Sequence, residues 1–323
     1  MTTVLVTGTG AVIGYGALKS LRAVPGLRLI ATDIFDHAVG QHFADHFVTA
    51  PRTADPGYGD WLRAVVATHR VDLIVPCIEQ DVAYLARAVC SATAPPCAIA
   101  LNAPDLIALS GDKIAFDAFL QQTGDPARIP SATSGGFFTL ARDLGVPFLM
   151  KPRHGYAGKG IARIKTKDDF APFAHRLGQD YLAQKIVGDD DSEYTVSAFC
   201  ISGKVVAVIA MQRHLSPEGA TARARTVDAT PFLPTLHRLS QALAAEGPTN
   251  FQFRVEQGIP YLLEINPRIS SATSLRAAFG FNEARMCLDH FLFGHVVTQP
   301  VLRSGRAIRY LEDLVTYDDP GDL

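Results

Sequence analysis

The sequence contains no run of apolar residues approaching the roughly 20 that a membrane-spanning helix needs. It also lacks an excess of either charge, since 30 Lys and Arg stand against 32 Asp and Glu and the formal net charge is -2. We therefore expect no nucleic-acid partner and no membrane partner. The first residues include no basic segment followed by an apolar stretch, so we expect no signal peptide and predict a cytoplasmic protein.

Paired cysteines are missing as well. The five cysteines are scattered, odd in number and never spaced as C-x-x-C, so we expect reduced thiols rather than disulfides or a cysteine metal site. They are Cys77, Cys90, Cys97, Cys200 and Cys287. The chain has 323 residues, of which 48% are hydrophobic and 19% charged, and this is enough for two or three domains with ordinary cores.

The first hundred residues alternate short apolar runs with helical patterns. The strands are predicted at residues 3–7, 27–32 and 71–75, and the helices at 14–23, 61–69 and 81–90. This alternation predicts a parallel sheet with right-handed crossovers. A ligand would then lie beyond the carboxyl ends of the strands, where Gly8, Asp33, Glu79 and Asp81 fall.

The pattern changes after residue 101. One helix is predicted over residues 107–122, and a strand at 147–151 enters a glycine-rich turn and returns at 161–164. Later strands at 193–200, 204–211, 249–255 and 261–265 are joined by short glycine turns at 201–203 and 256–258, which favour antiparallel pairing. An α/β amino-terminal domain therefore precedes an α+β body.

A glycine turn follows the first strand, with Gly8, Gly10, Gly14 and Gly16. With Asp33 at the end of the second strand, it suggests dinucleotide binding and hence an NAD(P)-dependent reductase. However, G-x-G-x-x-x-G is one residue longer than the usual fingerprint. Tyr181-x-x-x-Lys185 matches a reductase proton-donor motif, but no serine stands at a suitable distance before it. We favour a turn that lines a substrate cleft, and the reductase stays open as an alternative.

Lys151 ends a strand and is followed by the turn Gly155 to Gly160, which contains Gly158 and Lys159. Lysines neutralise phosphate charge, and glycine amides approach phosphate oxygens closely, so this segment suits a polyphosphate. The order of residues is not that of a Walker A motif. The alternative is a solvated basic hairpin.

Gln252, Glu264 and Asn266 carry the oxygen donors that Mg²⁺ prefers beside phosphates. Glu264 and Asn266 are two residues apart and so share one face of an extended strand. Arg268 follows two residues later and suits the oxygens of a transferring phosphoryl group. The alternative is a solvated strand face.

Residues 181–188 form a strand that runs into a glycine turn. We interpret Gln184, Lys185 and Ile186 as presenting backbone groups to an adenine edge, and Glu193 as an acceptor for ribose hydroxyls. This segment alone is a weak signal.

The order of these segments resembles the ATP-grasp superfamily. The segments are K-P-R-x-G-x-x-G-K-G-I from Lys151, Q-x-I-x-G-x-x-x-x-E from Gln184 and E-I-N-P-R from Glu264. The sequence is most similar to the carbamoyl-phosphate-synthase-like branch, whose members carry a Rossmann-like domain before the ATP-grasp fold. This resemblance implies a Rossmann-like pre-ATP-grasp domain at residues 1–102. Subdomain A would then span residues 103–188, and subdomain B, with the Mg-ATP site and the C-terminal segment, residues 189–323.

The resemblance also implies roles for individual residues. Lys113, in Ser-Gly-Asp-Lys, and Lys151 would contact the nucleotide, and Gly155, Gly158 and Lys159 would belong to the loop over the phosphates. Gln184, Lys185, Ile186 and Glu193 would hold the adenosine. Gln252, Glu264 and Asn266 would bind Mg²⁺, for which Mn²⁺ may substitute, and Arg268, Asn266 and Lys151 would be catalytic.

The implied activity is that of an ADP-forming carboxylate–amine ligase that works through an acyl phosphate on small amino-acid-like substrates. Glu79 and Asp81 are candidates for holding an ammonium group, Arg223 and Arg225 a carboxylate, and Arg268 the acyl phosphate. The sequence departs from the family at two points. Lys185 stands where the family usually has Glu. The carbamoyl phosphate synthase itself has a second arginine near Ser271, which this sequence lacks, so bicarbonate is not the expected substrate. A non-catalytic nucleotide-binding module is a further alternative, and a homodimer is one expectation for such a fold.

Overall fold

The protein is described by a computed structural model that covers residues 1–155, 158–217 and 219–315. Tyr156 and Ala157 of the predicted phosphate loop, together with residues 316–323 of the predicted last domain, lie outside the described residues. Three sheets of five, four and six strands organise the described part.

The five-stranded sheet comes from the first hundred residues and is parallel throughout, in the order β3-β2-β1-β4-β5. This confirms the predicted parallel sheet. The strand order reverses between β1 and β4, which opens a crevice at their carboxyl ends. The strands are β1 Thr2–Thr7, β2 Leu27–Asp33, β3 His46–Thr49, β4 Leu73–Val75 and β5 Ala98–Ile99, and the helices are α1 Val12–Arg22, α2 Tyr58–His69 and α3 Glu79–Cys90.

The single helix predicted over residues 107–122 is wrong, because two helices stand there, α4 Pro104–Ser110 and α5 Lys113–Gln122. Asp112 leaves the helical conformation, with φ -124° and ψ 102°, and its Oδ1 accepts hydrogen bonds from the backbone N–H groups of Ile114 and Ala115 at 3.1 Å each. A side-chain cap of this kind starts a new helix and thereby ends the previous one.

The four-stranded sheet is antiparallel and has the order β6-β9-β7-β8. Helix α6 packs on one face, where Phe148, Met150 and Leu140 belong to one small core. The elements are β6 Ser131–Ala132, α6 Phe137–Leu144, β7 Phe148–Pro152, β8 Ala162–Ile164, α7 Lys167–Phe170 and β9 Tyr181–Lys185.

The six-stranded sheet is antiparallel, in the order β14-β13-β10-β11-β12-β15. Its hairpins at residues 201–203 and 256–258 are the predicted ones. The strands are β10 Glu193–Ile201, β11 Lys204–Leu215, β12 Thr221–Val227, β13 Gly247–Glu256, β14 Ile259–Asn266 and β15 Arg306–Ile308. The helices are α8 Leu233–Ala242, α9 Thr273–Ala278 and α10 Glu283–Cys287, with 3-10 turns at Val39–Phe43, Ala171–Phe173, Asp190–Ser192 and Thr230–Phe232 and a π turn at Leu288–Leu292.

One hydrophobic core joins the parallel sheet to the six-stranded sheet. It contains Val4 and Leu18 from the first domain together with Met211 and Phe281 from the body, all fully buried. Helix α1 packs between β1 and the helices α9 and α10. In the part of the chain that the structure describes, no helix is long and apolar enough to cross a membrane. The domain limits at residues 102 and 188 stay a prediction.

The glycine turn after β1 allows helix α1 to pack closely against its neighbours. A Cβ atom on Gly14 would lie 2.3 Å from the carbonyl oxygen of Gly8, and one on Gly16 would lie 3.1 Å from Thr273 Cγ2. Gly8 itself has φ 65°, a left-handed conformation that favours glycine. The glycines therefore allow α1 to approach both the first strand and α9.

Replacing Gly14 by Ala is expected to destabilise the protein by about 1–3 kcal/mol, although alanine is the better helix former, because the new methyl group meets a backbone oxygen. Urea unfolding measures the change. Gly111→Ala is the control, since its Cβ would make only ordinary contacts of 3.5 Å or more. An unchanged midpoint for Gly14→Ala would show that the close contact does not constrain the helix.

Candidate functional site

A cavity of about 1080 Å³ lies between the parallel sheet, the four-stranded sheet and the six-stranded sheet. Most of the residues singled out from the sequence line it, although they come from five separate stretches of chain. Those residues are Glu79, Lys113, Lys151, Gly155, Gly158, Lys159, Gln184, Lys185, Ile186, Glu193, Gln252, Glu264, Asn266 and Arg268.

Lysines form one side of this cavity. Lys151 is the penultimate residue of β7, is 8% exposed and donates a hydrogen bond from Nζ to Gln184 Oε1 at 3.1 Å. Burial lowers the pKa of Lys151 to about 8, against the attraction of Glu264. Lys113 is the first residue of α5, and its Nζ donates to the carbonyl oxygen of Gly155 at 2.9 Å. Burial also lowers the pKa of Lys113.

Acceptor groups from β14 form the opposite side. Asn266 Nδ2 donates to Glu264 Oε1 at 2.9 Å, so the two side chains share a face, and Gln252 pairs with Glu264 across β13 and β14. Burial raises the pKa of the Glu264 carboxyl. The hydrogen bond from Asn266 and the charges of Lys151 and Lys113 outweigh burial and hold that pKa below its usual value.

Arg268 connects this strand to the first domain. Its Nη2 donates to Glu79 Oε1 at the start of α3 and to Asn266 Oδ1 at 3.2 Å, while Nη1 donates to the carbonyl oxygen of Ile269. The Arg268 side chain is 11% exposed, and its buried Nε has no hydrogen-bond partner among the described residues. Arg268 therefore lines the cavity with its guanidinium while one of its donors stays unsatisfied within the wall.

Two arginines that the sequence reasoning missed also line the cavity. Arg213, on β11 and 4% exposed, donates to Glu193 Oε1 at 2.8 Å and to Gln252 Oε1 at 2.7 Å. Arg254, on β13, donates to Glu193 Oε2 at 3.4 Å. The sequence offered a signal for Arg254, which is two residues after Gln252 and therefore on the same face of the strand, but none for Arg213.

Three candidates do not reach this cavity. Asp81 lines a smaller cavity on the other side of α3. Arg223 and Arg225 lie on the exposed face of β12, between β11 and β15, and Arg225 Nε donates to Gln212 Oε1 at 2.6 Å. The predicted roles of these three residues in substrate binding stay predictions.

The geometry does not favour the reductase alternative. Tyr181 and Lys185 lie at the two ends of β9, about 13 Å apart at the rise of a strand, so they do not form a proton-donor pair. At the glycine turn, the Gly10 N–H donates to Asp33 Oδ2 at 2.7 Å. That amide is therefore not free for a phosphate oxygen.

Two family models match the chain. The model for "ATP-grasp in the biosynthetic pathway with Ter operon" matches residues 181–314, and the model for the "PylC-like, N-terminal domain" matches residues 4–99. The carbamoyl phosphate synthase large chain of Thermomicrobium roseum is 29% identical over 187 residues, which are 51% of this chain and 17% of that protein. The chain thus spans about a fifth of the length of the curated relatives it matches.

Solved structures share the fold. N5-carboxyaminoimidazole synthetase from Staphylococcus aureus complexed with ADP has a TM-score of 0.71 at 16% identity and covers 93% of this chain and 80% of its own. The L-amino acid ligase from Bacillus licheniformis has a TM-score of 0.65 at 15% identity and covers 90% of this chain and 74% of its own. The match of residues 181–314 to an ATP-grasp model and the similarity to carbamoyl phosphate synthase chains support the resemblance that the motifs predicted.

The predicted fold class is confirmed, with a Rossmann-like domain followed by the two sheets of the ATP-grasp fold. In this ATP-grasp fold the cavity lies where the four-stranded and six-stranded sheets face each other, and the Rossmann-like domain closes it through Arg268 and Glu79. The chemistry of the cavity therefore depends on residues from all three sheets.

The lowered pKa of Lys151 predicts a pH dependence of stability. Between about pH 8 and its ordinary value of 10.5, the unfolded chain binds a proton at Lys151 that the folded chain has released. The free energy of unfolding of the native sequence should therefore rise with pH, relative to that of Lys151→Met, by up to about 1.4 kcal/mol per pH unit. Urea unfolding at a series of pH values measures the difference. Lys165→Met, at an exposed lysine, is the control. Parallel curves for the native and Lys151→Met proteins would contradict the assignment.

Proposed function

We propose that the protein is an ATP-dependent carboxylate–amine ligase that forms ADP and an acyl phosphate. The observation that carries this proposal is the meeting of the buried Lys151 and the half-buried Lys113 with Glu264, Asn266 and Arg268 across a single cavity. Cations on one side and hard oxygen donors on the other are what a nucleotide triphosphate and its metal require. The similarity to an L-amino acid ligase and to carbamoyl phosphate synthase chains supports the same reaction class.

The nucleotide would bind with its phosphates beside Lys113 and Lys151. Their ammonium groups neutralise phosphate charge, and the amides of Gly155, Gly158 and Lys159 can approach the phosphate oxygens. The adenine would lie against the backbone of residues 184–186, with the ribose hydroxyls near Glu193. Glu193 forms ion pairs with Arg213 and Arg254, and its carboxylate oxygens would also accept from those hydroxyls.

Mg²⁺ fits the donor set of β13 and β14. Glu264 and Asn266 offer oxygens on one face, and the low pKa of Glu264 keeps its carboxylate ionised. Gln252 Oε1 accepts from Arg213, so Gln252 must exchange this partner before it can serve as a third ligand. Bound Mg²⁺, or Mn²⁺ in its place, would neutralise phosphate charge.

Arg268 would orient the carboxylate substrate and its acyl phosphate, because its guanidinium lines the cavity. The surrounding domains would limit the access of water to an acyl phosphate until an amine attacks it. The substrates would be small molecules, since the cavity holds about 1080 Å³. A cytoplasmic location and a homodimer belong to the same proposal.

Glu264→Gln is expected to lower Mg²⁺-dependent ATP turnover roughly 100-fold or more, because it removes the ionised metal ligand while keeping its size. ADP release is measured with pairs of amino acids, in which one member is offered as the carboxylate substrate and the other as the amine substrate. Glu312→Gln, at an exposed glutamate, is the control. Unchanged turnover in Glu264→Gln would remove the metal assignment.

Two titrations separate the alternatives. Binding of NADH without binding of Mg-ATP would overturn the ligase in favour of a reductase. Tight Mg-ATP binding without ADP release in any pair of amino acids would favour a nucleotide-binding module that does not turn over. Mg-ATP binding supports the ligase if it is accompanied by ADP release with one pair of amino acids and by no ADP release when the amine of that pair is left out.

A further inference from the structure

A second cavity, of about 510 Å³, lies at the carboxyl ends of β1 and β2 in the Rossmann-like domain. Ala11 and Ile78 line both this cavity and the larger one, so the two adjoin at the start of α1 and α3. None of the residues assigned above to ATP or Mg²⁺ lines the smaller cavity.

Two buried carboxylates face this cavity. Asp81 is 4% exposed, and its Oδ1 accepts hydrogen bonds from Thr53 Oγ1 at 2.7 Å and Tyr58 Oη at 3.0 Å. Its Oδ2 accepts none from the described residues. Asp33 is 8% exposed and accepts from the backbone N–H groups of Gly10 at 2.7 Å and Phe35 at 3.1 Å. Asp81 therefore has an acceptor oxygen left over beside the cavity, where it is open to a donor from a ligand.

The other lining residues select against an anion. No lysine or arginine is among the described residues that line this cavity, and His37 is exposed and paired with Asp36. The N–H of Gly10, which a phosphate would need, is held by Asp33. No three His, Cys, Asp or Glu side chains come together as metal ligands in the described part of the chain, which disfavours a metal ion held by the carboxylates of this cavity.

Apolar side chains form most of the remaining wall. Ile34 and Phe35 stand at the edge and are 37% and 56% exposed. Large apolar side chains at the mouth of a cavity favour a ligand that has an apolar part. The other apolar lining residues are Ala38, Val39, Ala50, Pro51 and Ile78.

We propose that this cavity binds a small primary amine, whose ammonium group donates to Asp81 Oδ2 and whose hydrocarbon part packs against Ile34 and Phe35. An ammonium group supplies the donors and the positive charge that the buried carboxylates lack. The volume of about 510 Å³ admits a chain of about five carbon atoms with room to spare. The site is separate from the nucleotide cavity, and the inference holds whether or not the chain turns over ATP.

The single tryptophan of the chain reports on this cavity. Trp61 packs against Tyr58, with ring centroids 5.5 Å apart, and Tyr58 lines the cavity. Pentylamine is titrated while Trp61 fluorescence is followed, and 1-pentanol, pentanoate and adenosine are titrated in parallel. Pentylamine should give a saturable change and bind at least tenfold more tightly than the other three. Equal binding of 1-pentanol, preferred binding of adenosine, or no saturable change with pentylamine would overturn the proposal.

Asp81→Asn removes the charge but keeps an oxygen for Thr53 and Tyr58. It should weaken pentylamine binding about tenfold or more and leave the weak response to 1-pentanol unchanged. Asp60→Asn is the matched control, since Asp60 lies on the same helix as Tyr58, is 84% exposed and does not line the cavity. Binding of pentylamine by Asp81→Asn at native strength would overturn the proposal.

Ala50→Leu provides a second route if Asp81→Asn does not fold. It narrows the cavity from its wall without changing any charge, so it should weaken pentylamine binding several-fold while Mg-ATP binding stays as in the native protein. Pentylamine binding at native strength would show that the amine binds elsewhere and would overturn the proposal. Because Mg-ATP binding is measured separately, failure of the amine site and failure of the ligase proposal are distinguishable.

Discussion

A completely buried ion pair between Arg276 and Glu283 lies where the Rossmann-like domain meets the ATP-grasp body. Arg276 Nη1 donates to Glu283 Oε1 at 3.0 Å and to Ser270 Oγ at 2.8 Å, while Nη2 donates to Thr195 Oγ1 at 2.7 Å. The pair thus ties α9 and α10 to β10 and to the loop after β14. Removing one partner would leave an uncompensated buried charge, which is far less favourable than never having buried the pair.

This network also determines where the cavity residues stand. Arg276 Nη2 donates to Asn250 Oδ1, and Asn250 pairs with Asn266 across β13 and β14. Ser270, whose hydroxyl oxygen accepts a hydrogen bond from Arg276, is two residues after Arg268 in the sequence and lines the same cavity. The buried charges therefore hold the loop that carries Arg268, and through Glu79 the same loop is connected to α3.

Much of this fold could be predicted from local sequence patterns. Strand periodicity placed Glu264 and Asn266 on one face, and the glycine turns identified the hairpins at 201–203 and 256–258. The break at Gly111 was missed, because the helical pattern continues through it and only the Asp112 side chain separates the two helices. Arg213 was also missed, since its contact with Glu193 and Gln252 depends on how β11, β10 and β13 are ordered in the sheet.

The separation of Glu79 from Asp81 has a simple geometric cause. The two residues were predicted together because they are adjacent to the same strand end, but they lie in the first turn of α3, where residues two apart point about 200° away from each other. Glu79 therefore faces the larger cavity and Arg268, and Asp81 faces the smaller one.

The two adjoining cavities differ in the charge of the side chains that line them. The larger cavity is lined by eight lysine and arginine side chains against five carboxylates, whereas the described lining of the smaller one has Asp33 and Asp81 and no lysine or arginine. The eight cations are Lys113, Lys151, Lys159, Lys185, Arg163, Arg213, Arg254 and Arg268. Because charges near a protein surface still interact by about 1–4 kcal/mol at contact distances, an anionic ligand is drawn to the first cavity and a cationic one to the second. A negatively charged nucleotide in the larger cavity would lower the electrostatic potential in the smaller cavity, which adjoins it at Ala11 and Ile78, and would thereby favour a cation there. Occupation of either cavity by its own kind of ligand should therefore favour occupation of the other.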